Sequence, residues 1–258
     1  MKTILKSILL VIGIALVVFI SFQKNIEMNP PIEPTFFAHR GLKNFAENSH
    51  EGFLESLKSG IKSVEIDIYT TNDKRLILFH DKNAKRLLGI NKEVTNLNWQ
   101  DIKSKNIIFN KKLTKNKTLL LDDFFSSSYG FETVYIDIKK ANKSVADSLL
   151  FYINKYNAIN KVLVADANPI FLAYLKFKNP HIQTVLEGFN KGKEWTYYLI
   201  PNQFKPNYWA SFYNQVDKSH INFLKDKNLL DRKIIYGISK NEIETAINKK
   251  LKHFIIDY

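Results

Sequence analysis

The segment Val64-Glu65-Ile66-Asp67-Ile68 alternates aliphatic and acidic side chains. Because successive side chains of a strand point to opposite faces, Glu65 and Asp67 share one face and the three aliphatic residues share the other. Carboxylates in a protein core are costly unless they are paired or bind a metal ion. The segment therefore predicts a strand whose aliphatic face packs against helices and whose acidic face lines a site. A salt bridge inside the core is the alternative.

A second segment, Tyr135-Ile136-Asp137-Ile138-Lys139, repeats this pattern and sends Asp137 and Lys139 to one face. Together with Glu65 and Asp67, Asp137 would complete three carboxylates on neighbouring strands. Carboxylate oxygens suit Ca²⁺ or Mg²⁺ and not a soft transition metal. We therefore predict a divalent cation site, with Lys139 placed to meet a phosphate.

Short β-rich runs alternate with helical stretches from Thr35 onward, as is typical of a parallel sheet with crossover helices. This rhythm predicts an α/β fold, a (β/α)8 TIM barrel, whose usual size is about 250 residues. A doubly wound open sheet is the alternative, but no Gly-rich phosphate loop follows the first strand. The predicted strands cover residues 35–39, 62–69, 133–138, 161–165, 182–187, 207–212, 233–238 and 253–257. The predicted helices cover residues 49–59, 120–127, 142–156, 168–177, 194–200, 218–227 and 240–250.

Residues 81–118 interrupt the rhythm. An extra strand is predicted over residues 76–79 just before them, and a stretch rich in lysine and asparagine surrounds Trp99. We interpret residues 81–118 as a small insertion after the second strand, or a cap over the barrel mouth. The predicted barrel domain spans residues 35–258.

The N-terminal residues 1–23 form a predicted targeting segment. Residues 7–23 are uncharged and mostly Ile, Leu and Val, at the short end of the roughly 17–25 residues that a transmembrane helix needs. No Ala-x-Ala cleavage site follows, which favours an uncleaved signal anchor over a cleaved signal peptide. Residues 24–34, with Pro30, Pro31 and Pro34, predict a stiff extended linker.

The flanking charges of this segment orient it only weakly, since Lys2 and Lys6 precede the apolar run and Lys24 follows it. We expect a single-pass protein of a bacterial cytoplasmic membrane with its catalytic domain on the outer side. The alternative is a periplasmic or secreted protein after signal cleavage.

The composition of the 258-residue chain narrows the chemistry further. It contains no cysteine, which excludes disulfides, thiolate zinc sites, a cysteine nucleophile and a lipidated cysteine. Its net charge of +13 comes from scattered lysines, which indicates a solubilising surface or attraction to anionic phosphodiesters or membranes. No nucleic-acid-binding motif is present, so nucleic acid is not an expected partner.

Two histidines lie near predicted strand ends. His39 begins His39-Arg40-Gly41 at the end of the first strand, and His80 follows the 76–79 run. Active sites of such barrels gather at the carboxyl ends of the strands, and histidine exchanges protons near neutral pH. Arg40 can donate two hydrogen bonds to a phosphate, and Gly41 lets the backbone turn. For the remaining histidines we predict ordinary polar contacts: His50, His181, His220 and His253.

The triplet Glu47-Asn48-Ser49 precedes a predicted helix. Asn48 or Ser49 can cap that helix, and Asn48 with Glu51 resembles a capping box. Two roles are open for Glu47: a contact with substrate, or a supporting position behind the site.

Taken together, these motifs resemble the glycerophosphodiester phosphodiesterase family. The resemblance rests on His-Arg-Gly at 39–41, Glu-Asn-Ser at 47–49, Glu-x-Asp at 65–67 and His-Asp at 80–81. It spans residues 36–258 and is most specific over 36–81. It implies a TIM barrel with a small cap, a divalent metal on Glu65, Asp67 and the third-strand acid, and two histidines as acid and base. It also implies cleavage of glycerophosphodiesters to glycerol 3-phosphate and an alcohol.

Three positions depart from the family pattern. Asp137 stands where the family usually has Glu, although the related spider-venom-type phospholipase D enzymes have Asp followed two residues later by Lys. Tyr236-Gly237 replaces Trp-Thr, and Asp166-Ala167 stands where Ser-Phe is common.

The function that the sequence predicts is metal-dependent hydrolysis of glycerophosphodiesters. Two alternatives are a phospholipase-D-like enzyme acting on lysophospholipids and a catalytically weak protein that binds phospho-head groups. Retention of both His39 and His80 favours hydrolysis, because binding alone needs no acid–base pair. The residues leave open the alcohol head group, the metal, the oligomeric state and which histidine is the acid.

Overall fold

The computed structural model describes residues 2–24 and 28–257. Its strands are β1 (Thr35–His39), β2 (Ser63–Thr70), β3 (Leu76–Leu78), β4 (Asn106–Phe109), β5 (Lys112–Lys117), β6 (Thr133–Ile138), β7 (Val162–Asp166), β8 (Gln183–Leu186), β9 (Tyr208–Phe212), β10 (Lys233–Tyr236) and β11 (His253–Ile256). Its helices are α1 (Lys2–Ser21), α2 (His50–Lys58), α3 (Lys85–Leu88), α4 (Trp99–Ile102), α5 (Leu121–Ser126), α6 (Lys143–Lys155), α7 (Pro169–Lys178), α8 (Thr196–Leu199), α9 (Lys218–Asp226) and α10 (Lys240–Asn248).

Eight parallel strands close into a barrel, which confirms the predicted (β/α)8 fold. The order around the sheet is β1-β11-β10-β9-β8-β7-β6-β2, and β2 pairs in turn with β1. β1 has a parallel partner on both sides, so the sheet has no open edge at β1. A doubly wound sheet would have open edges, and that alternative is therefore wrong.

The predicted alternation along β2 is present. Val64, Ile66 and Ile68 are buried in the cluster between the strands and the helices. Glu65 and Asp67 are also buried, on the opposite face, inside the barrel. Below them, aromatic and aliphatic side chains fill the barrel interior, and they include Phe37, Tyr135, Leu163, Val185, Tyr208 and Ile234.

The insertion contains an antiparallel hairpin, β4–β5, together with the short helices α3 and α4. It has its own apolar cluster against β3, formed by residues that include Ile77, Phe79, Leu87, Val94, Ile102 and Ile107. The 76–79 run is a strand, as predicted, but it pairs antiparallel with β2 and lies outside the closed barrel.

Two predicted elements are shorter in the structure. The helix predicted over 194–200 is the single turn α8. None of the α8 residues is buried, so there is no buried apolar face to stabilise a longer helix. The strand predicted over 233–238 ends at Tyr236, because Gly237 turns the chain with a φ of 62°.

The N-terminal helix α1 is exposed along its whole apolar span. Residues Ile4–Ser21 have a mean hydropathy of 2.7 and are not buried against the barrel, which fits a signal sequence or a membrane anchor. Of the predicted linker, residues 25–27 lie outside the described residues. The described part follows the amino-terminal end of the barrel: the backbone N–H of Ile32 donates to the Tyr208 hydroxyl (2.8 Å), and Arg232 donates to the carbonyl of Asn29.

Candidate active site

A pocket of about 440 Å³ opens at the carboxyl end of the barrel strands. It brings together most of the predicted site residues, namely His39, Arg40, Glu65, His80, Asp137 and Lys139. Asp67 is fully buried beside them. The remaining walls come from residues that include Tyr135, Glu187, Phe212, Tyr236 and Asp257.

Three acidic side chains converge at the base of this pocket. Glu65, Asp67 and Asp137 each offer a carboxylate oxygen, and these oxygens lie within 4.8 Å of one another. The parallel register of β2 and β6 accounts for this, because Asp67 lies directly opposite Asp137. Oxygen-only donors at this spacing fit a hard divalent cation such as Ca²⁺ or Mg²⁺.

The electrostatics of the cluster also fit a cation. Burial, followed by repulsion from Asp67 and Asp137, raises the pKa of Glu65 well above its ordinary value. Burial and the nearby Glu187 carboxylate raise the pKa of Asp137 to about 7. The cluster thus carries more negative charge than its surroundings stabilise, and a divalent ion would relieve this.

Two cations of the chain neutralise part of that charge. The Nζ of Lys139 lies 2.8 Å from Asp67 Oδ1 and ion-pairs also with Asp137. The Nε of Arg40 lies 3.0 Å from Asp67 Oδ2. Although burial raises the pKa of Asp67, Lys139 and Arg40 outweigh it and the net pKa is lowered. Both cations, predicted to meet a phosphate, thus lie beside the predicted metal ligands in this structure.

The loop between β1 and α2 holds Asp67 in place. Asn48 donates from Nδ2 to Asp67 Oδ2 (2.8 Å), and the Asp67 backbone N–H donates to Asn48 Oδ1 (3.2 Å). Asn48 therefore supports a predicted metal ligand, while the helix cap is Ser49, whose Oγ accepts from the Gly52 backbone.

The same loop has an unusual backbone. Arg40 and Asn48 have φ values of 57° and 52°, in the left-handed region that costs energy for residues other than glycine. Gly41 has a φ of 96°, and a Cβ there would come within 3.1 Å of the Gly52 backbone. The His39-Arg40-Gly41 motif thus requires glycine at its third position for close packing against α2.

Each predicted catalytic histidine has a carboxylate at its Nδ1. His39 Nδ1 lies 2.8 Å from Asp257 Oδ1, and His80 Nδ1 lies 2.8 Å from Asp81 Oδ1. An Nδ1–H that donates to a carboxylate leaves Nε2 as the atom that exchanges a proton. His39 Nε2 lies 4.0 Å from Glu65, next to the acidic cluster.

His80 follows the 76–79 run, as predicted, and reaches the pocket from outside the closed barrel. Its strand, β3, runs back antiparallel along β2, and the Phe79 backbone N–H donates to the Asp67 carbonyl (3.0 Å). This hydrogen bond places His80 beside Asp67. His80 thus follows a strand that is not one of the eight barrel strands.

An arginine of the insertion links these groups. Arg86 donates from Nε to Asp81 Oδ2 (2.6 Å) and from Nη2 to Glu47 Oε1 (2.8 Å). Although burial raises the pKa of Asp81, hydrogen bonds from Arg86 and His80 outweigh it and the net pKa is lowered. Glu47 also lies 3.4 Å from Arg40, so its carboxylate lies between two arginines.

Several residues of the pocket were not predicted from the sequence. Asp257 directly follows the buried strand β11. It could have been found by its position at a strand end, as His39 was at the end of β1. Glu187 follows β8 in the same way and accepts a hydrogen bond from the Tyr135 hydroxyl (2.7 Å). Burial raises the pKa of Glu187 above its ordinary value.

An aromatic pair forms the wall where the family pattern has Trp-Thr. The rings of Phe212 and Tyr236 lie 4.5 Å apart at 69°. A Cβ on Gly237 would come within 2.5 Å of the Phe212 ring, so the small residue at 237 makes room for that ring.

The other histidines lie elsewhere. His50 contacts the Tyr129 hydroxyl (2.6 Å), His220 contacts Glu194 (2.6 Å), and His253 contacts the Asp231 carbonyl (3.0 Å). His181 is exposed after α7. None of the four lines the pocket described above.

Comparison with known proteins identifies the type of barrel. The model of the "Glycerophosphoryl diester phosphodiesterase family" matches residues 39–199. "Probable glycerophosphodiester phosphodiesterase 2" of Mycobacterium tuberculosis is 30% identical over 131 residues, which cover 49% of this chain and 46% of that protein. "Glycerophosphodiester phosphodiesterase" of Caldanaerobacter subterraneus is 26% identical over 153 residues, which cover 57% of this chain and 63% of that protein. The matches thus span less than two thirds of these relatives' length.

Among solved structures, an Oleispira antarctica phosphodiesterase in complex with the product sn-glycerol-3-phosphate has a TM-score of 0.76. It is 16% identical, and the match covers 86% of this chain and 92% of that one. At this identity the likeness shows the shared fold.

The contact between Asp257 and His39 can be tested by Asp257→Asn. An amide keeps the size of the side chain, but it neither stabilises an imidazolium nor selects the tautomer with a free Nε2. If the pocket hydrolyses a phosphodiester, kcat should fall about 10²-fold, with an unchanged circular dichroism spectrum. Asp226→Asn, at an exposed end of α9, is the control. A kcat equal to that of the control would show that His39 does not depend on Asp257.

Proposed function

Because this chain belongs to the glycerophosphoryl diester phosphodiesterase family, we propose that it hydrolyses glycerophosphodiesters to glycerol 3-phosphate and an alcohol. One observation carries the proposal: two histidines, each with a carboxylate on Nδ1, line the same pocket as a cluster of three convergent carboxylates. The cluster suits a divalent cation and the histidines suit proton transfer.

Positive charge at the base of the pocket would hold the phosphate. A Ca²⁺ or Mg²⁺ ion on Glu65, Asp67 and Asp137 would polarise the phosphate oxygens. Lys139 and Arg40, already beside these carboxylates, add two donors for the remaining oxygens. The non-reacting part of the substrate would meet Phe212 and Tyr236.

The two histidines would divide the proton transfers. One accepts the proton of the attacking hydroxyl as its oxygen bonds to phosphorus. That hydroxyl belongs either to water or to the glycerol itself, and in the second case water must then open the resulting cyclic phosphate to give glycerol 3-phosphate. The other donates a proton to the oxygen that leaves when the phosphorus–oxygen bond breaks. Asp257 and Asp81 stabilise the positive charge on whichever ring holds the extra proton. Either assignment of His39 and His80 satisfies this scheme.

The apolar helix α1 supports attachment to a membrane. We propose that it stays as a single-pass anchor in a bacterial cytoplasmic membrane, with the barrel on the outer side. Its exposed apolar span and the absence of an Ala-x-Ala site favour this over a cleaved signal peptide. An anchored barrel would meet lipid-derived diesters more often than freely diffusing ones.

The reaction is tested with the purified full-length chain on a panel of glycerophosphodiesters and lysophospholipids, with and without added Ca²⁺ or Mg²⁺. We expect release of glycerol 3-phosphate from the glycerophosphodiesters, at a rate that falls when a chelator removes the cation. Product analysis by mass spectrometry identifies which ester bond breaks. A preference for lysophospholipids, with lysophosphatidic acid as the product, would favour the phospholipase-D-like alternative. Binding without turnover would contradict hydrolysis altogether.

The metal site is tested independently of activity by Glu65→Gln and Asp67→Asn. Each change removes one anionic ligand, so isothermal calorimetry should show weaker binding of Ca²⁺ or Mg²⁺. Glu65→Gln should leave the fold intact, because it removes repulsion within a buried acidic cluster. Asp67→Asn also loses the ion pairs with Lys139 and Arg40, so we expect a lower melting temperature for this variant, and circular dichroism checks that it is folded. Glu132→Gln, at an exposed acid just before β6, is the matched control and should bind the ion normally. Undiminished affinity in both site variants would overturn the assignment.

The proton-transfer pair is tested by His39→Ala and His80→Ala. A positioned acid or base contributes about 10²- to 10⁴-fold, so each variant should lose at least 10²-fold in kcat. The double variant should lose less than the product of the two, because both groups act in one transition state. His181→Ala, at an exposed histidine, is the control. Near-normal turnover in either single variant would assign that histidine to structure.

A further inference from the structure

Large apolar side chains are exposed on one flank of the barrel. Ile170 on α7 is 78% exposed, and Trp195 and Leu199, just before and at the end of α8, are 60% and 63% exposed. They border a second cavity of about 440 Å³, here named the apolar groove, whose floor includes Ala173, Leu186 and Phe204. Exposed apolar patches of this kind mark surfaces that bind a partner or a membrane.

The apolar groove adjoins the active-site pocket. Glu187, directly after β8, lines both cavities. The groove therefore begins near the carboxyl end of the barrel strands and extends along the flank to Phe204, which precedes β9. Whatever covers the groove would lie next to the mouth through which substrate enters.

The end of the apolar N-terminal helix contacts the same flank. The rings of Phe22, just after α1, and Phe204, on the groove, lie 4.9 Å apart. The Gln203 backbone N–H donates to the Phe22 carbonyl (3.1 Å). If α1 crosses a bilayer, its carboxyl end lies at the lipid–water interface, and this contact holds the groove at the same level.

The chemistry of the rim suits that interface. Trp195 and Tyr198 are the aromatic types that favour the boundary between head groups and acyl chains. Lys193 lines the groove, and Lys205 lies 4.1 Å from the centre of the Tyr197 ring nearby. Lysines at such a boundary are attracted by anionic head groups, while the apolar side chains enter the acyl region.

We propose that the apolar groove is a second membrane contact: it rests on the bilayer into which α1 inserts, with Ile170, Trp195 and Leu199 at the boundary between the head groups and the acyl chains. The active-site pocket then faces along the membrane surface. This inference rests on the membrane attachment proposed above and adds a defined orientation to it. The bilayer is favoured over a protein partner because the apolar helix of this same chain ends at the groove.

The three tryptophans of the chain make the contact measurable. Trp209 is fully buried, Trp99 lies in the insertion, and Trp195 is on the groove. Full-length chain carrying Trp99→Phe is reconstituted into nanodiscs of phosphatidylcholine and phosphatidylglycerol with brominated acyl chains. We expect the brominated lipid to quench the Trp195 emission, and the further change Trp195→Phe to abolish that quenching. Intact mass and residence in the nanodisc establish that α1 is retained and inserted.

Substitutions on the groove provide the second test. Ile170→Glu with Leu199→Glu should reduce quenching of Trp195 by at least half and leave hydrolysis of a water-soluble glycerophosphodiester unchanged. Leu113→Glu, an equally exposed apolar position (73%) on the hairpin of the insertion, is the matched control and should leave quenching unchanged.

Four results would overturn the inference. One is an inserted chain whose Trp195 is quenched by aqueous acrylamide and not by brominated lipid. Another is a chain that has lost α1. The third is protection of Trp195 from acrylamide by self-association of the chain. The fourth is protection of Trp195 from acrylamide by monomeric lysolipid in the absence of a bilayer. By contrast, lipid quenching without any hydrolysis would support the membrane contact and overturn only the proposed function.

Discussion

The burial of three carboxylates at one end of the barrel is the constraint on which the rest of the site depends. Glu65, Asp67 and Asp137 share a face only because β2 and β6 are parallel and in register. Removing such groups from water costs several kcal/mol each unless counter-charges or hydrogen bonds replace the water. Lys139, Arg40 and Asn48 supply part of this compensation, and all three contact Asp67. Lys139 also ion-pairs with Asp137, and the Arg40 backbone N–H donates to Glu65 Oε2 (3.0 Å). Glu65 and Asp137 remain under-compensated, which is why their pKa values are raised.

That constraint also explains the backbone before α2. To reach Asp67, the side chains of Arg40 and Asn48 must leave a short loop from two left-handed positions, at an order of 1–3 kcal/mol each. Gly41 permits the loop to press against Gly52. The strain is therefore local to the residues that hold the acidic cluster, and the packed barrel beneath keeps it in place.

The sequence predicts those parts of the site that follow from strand period and strand ends. Glu65, Asp67 and Asp137 converge as expected because side-chain direction alternates along a strand. The partner of His39 was missed, since Asp257 lies 218 residues away and meets it only because the barrel closes between β1 and β11. Arg86 was missed for a similar reason: its role depends on how the insertion folds back onto the barrel. The overlong helix at 194–200 shows the opposite error, in which apolar residues that suggested a packed helix are instead exposed.

Those exposed residues bear on the choice of substrate. The proposed site at the base of the pocket would bind a phosphate, but it would give no preference between a free diester and one attached to lipid. Such a preference needs an apolar surface next to the pocket, and the chain has one along α7 and α8, where the α1 end also attaches. A tether alone raises the local concentration of substrate, whereas a second contact also restricts the direction of the pocket. The charged base of the pocket would therefore bind the phosphate of a lipid-derived diester, while the apolar groove would contact the bilayer that contains it.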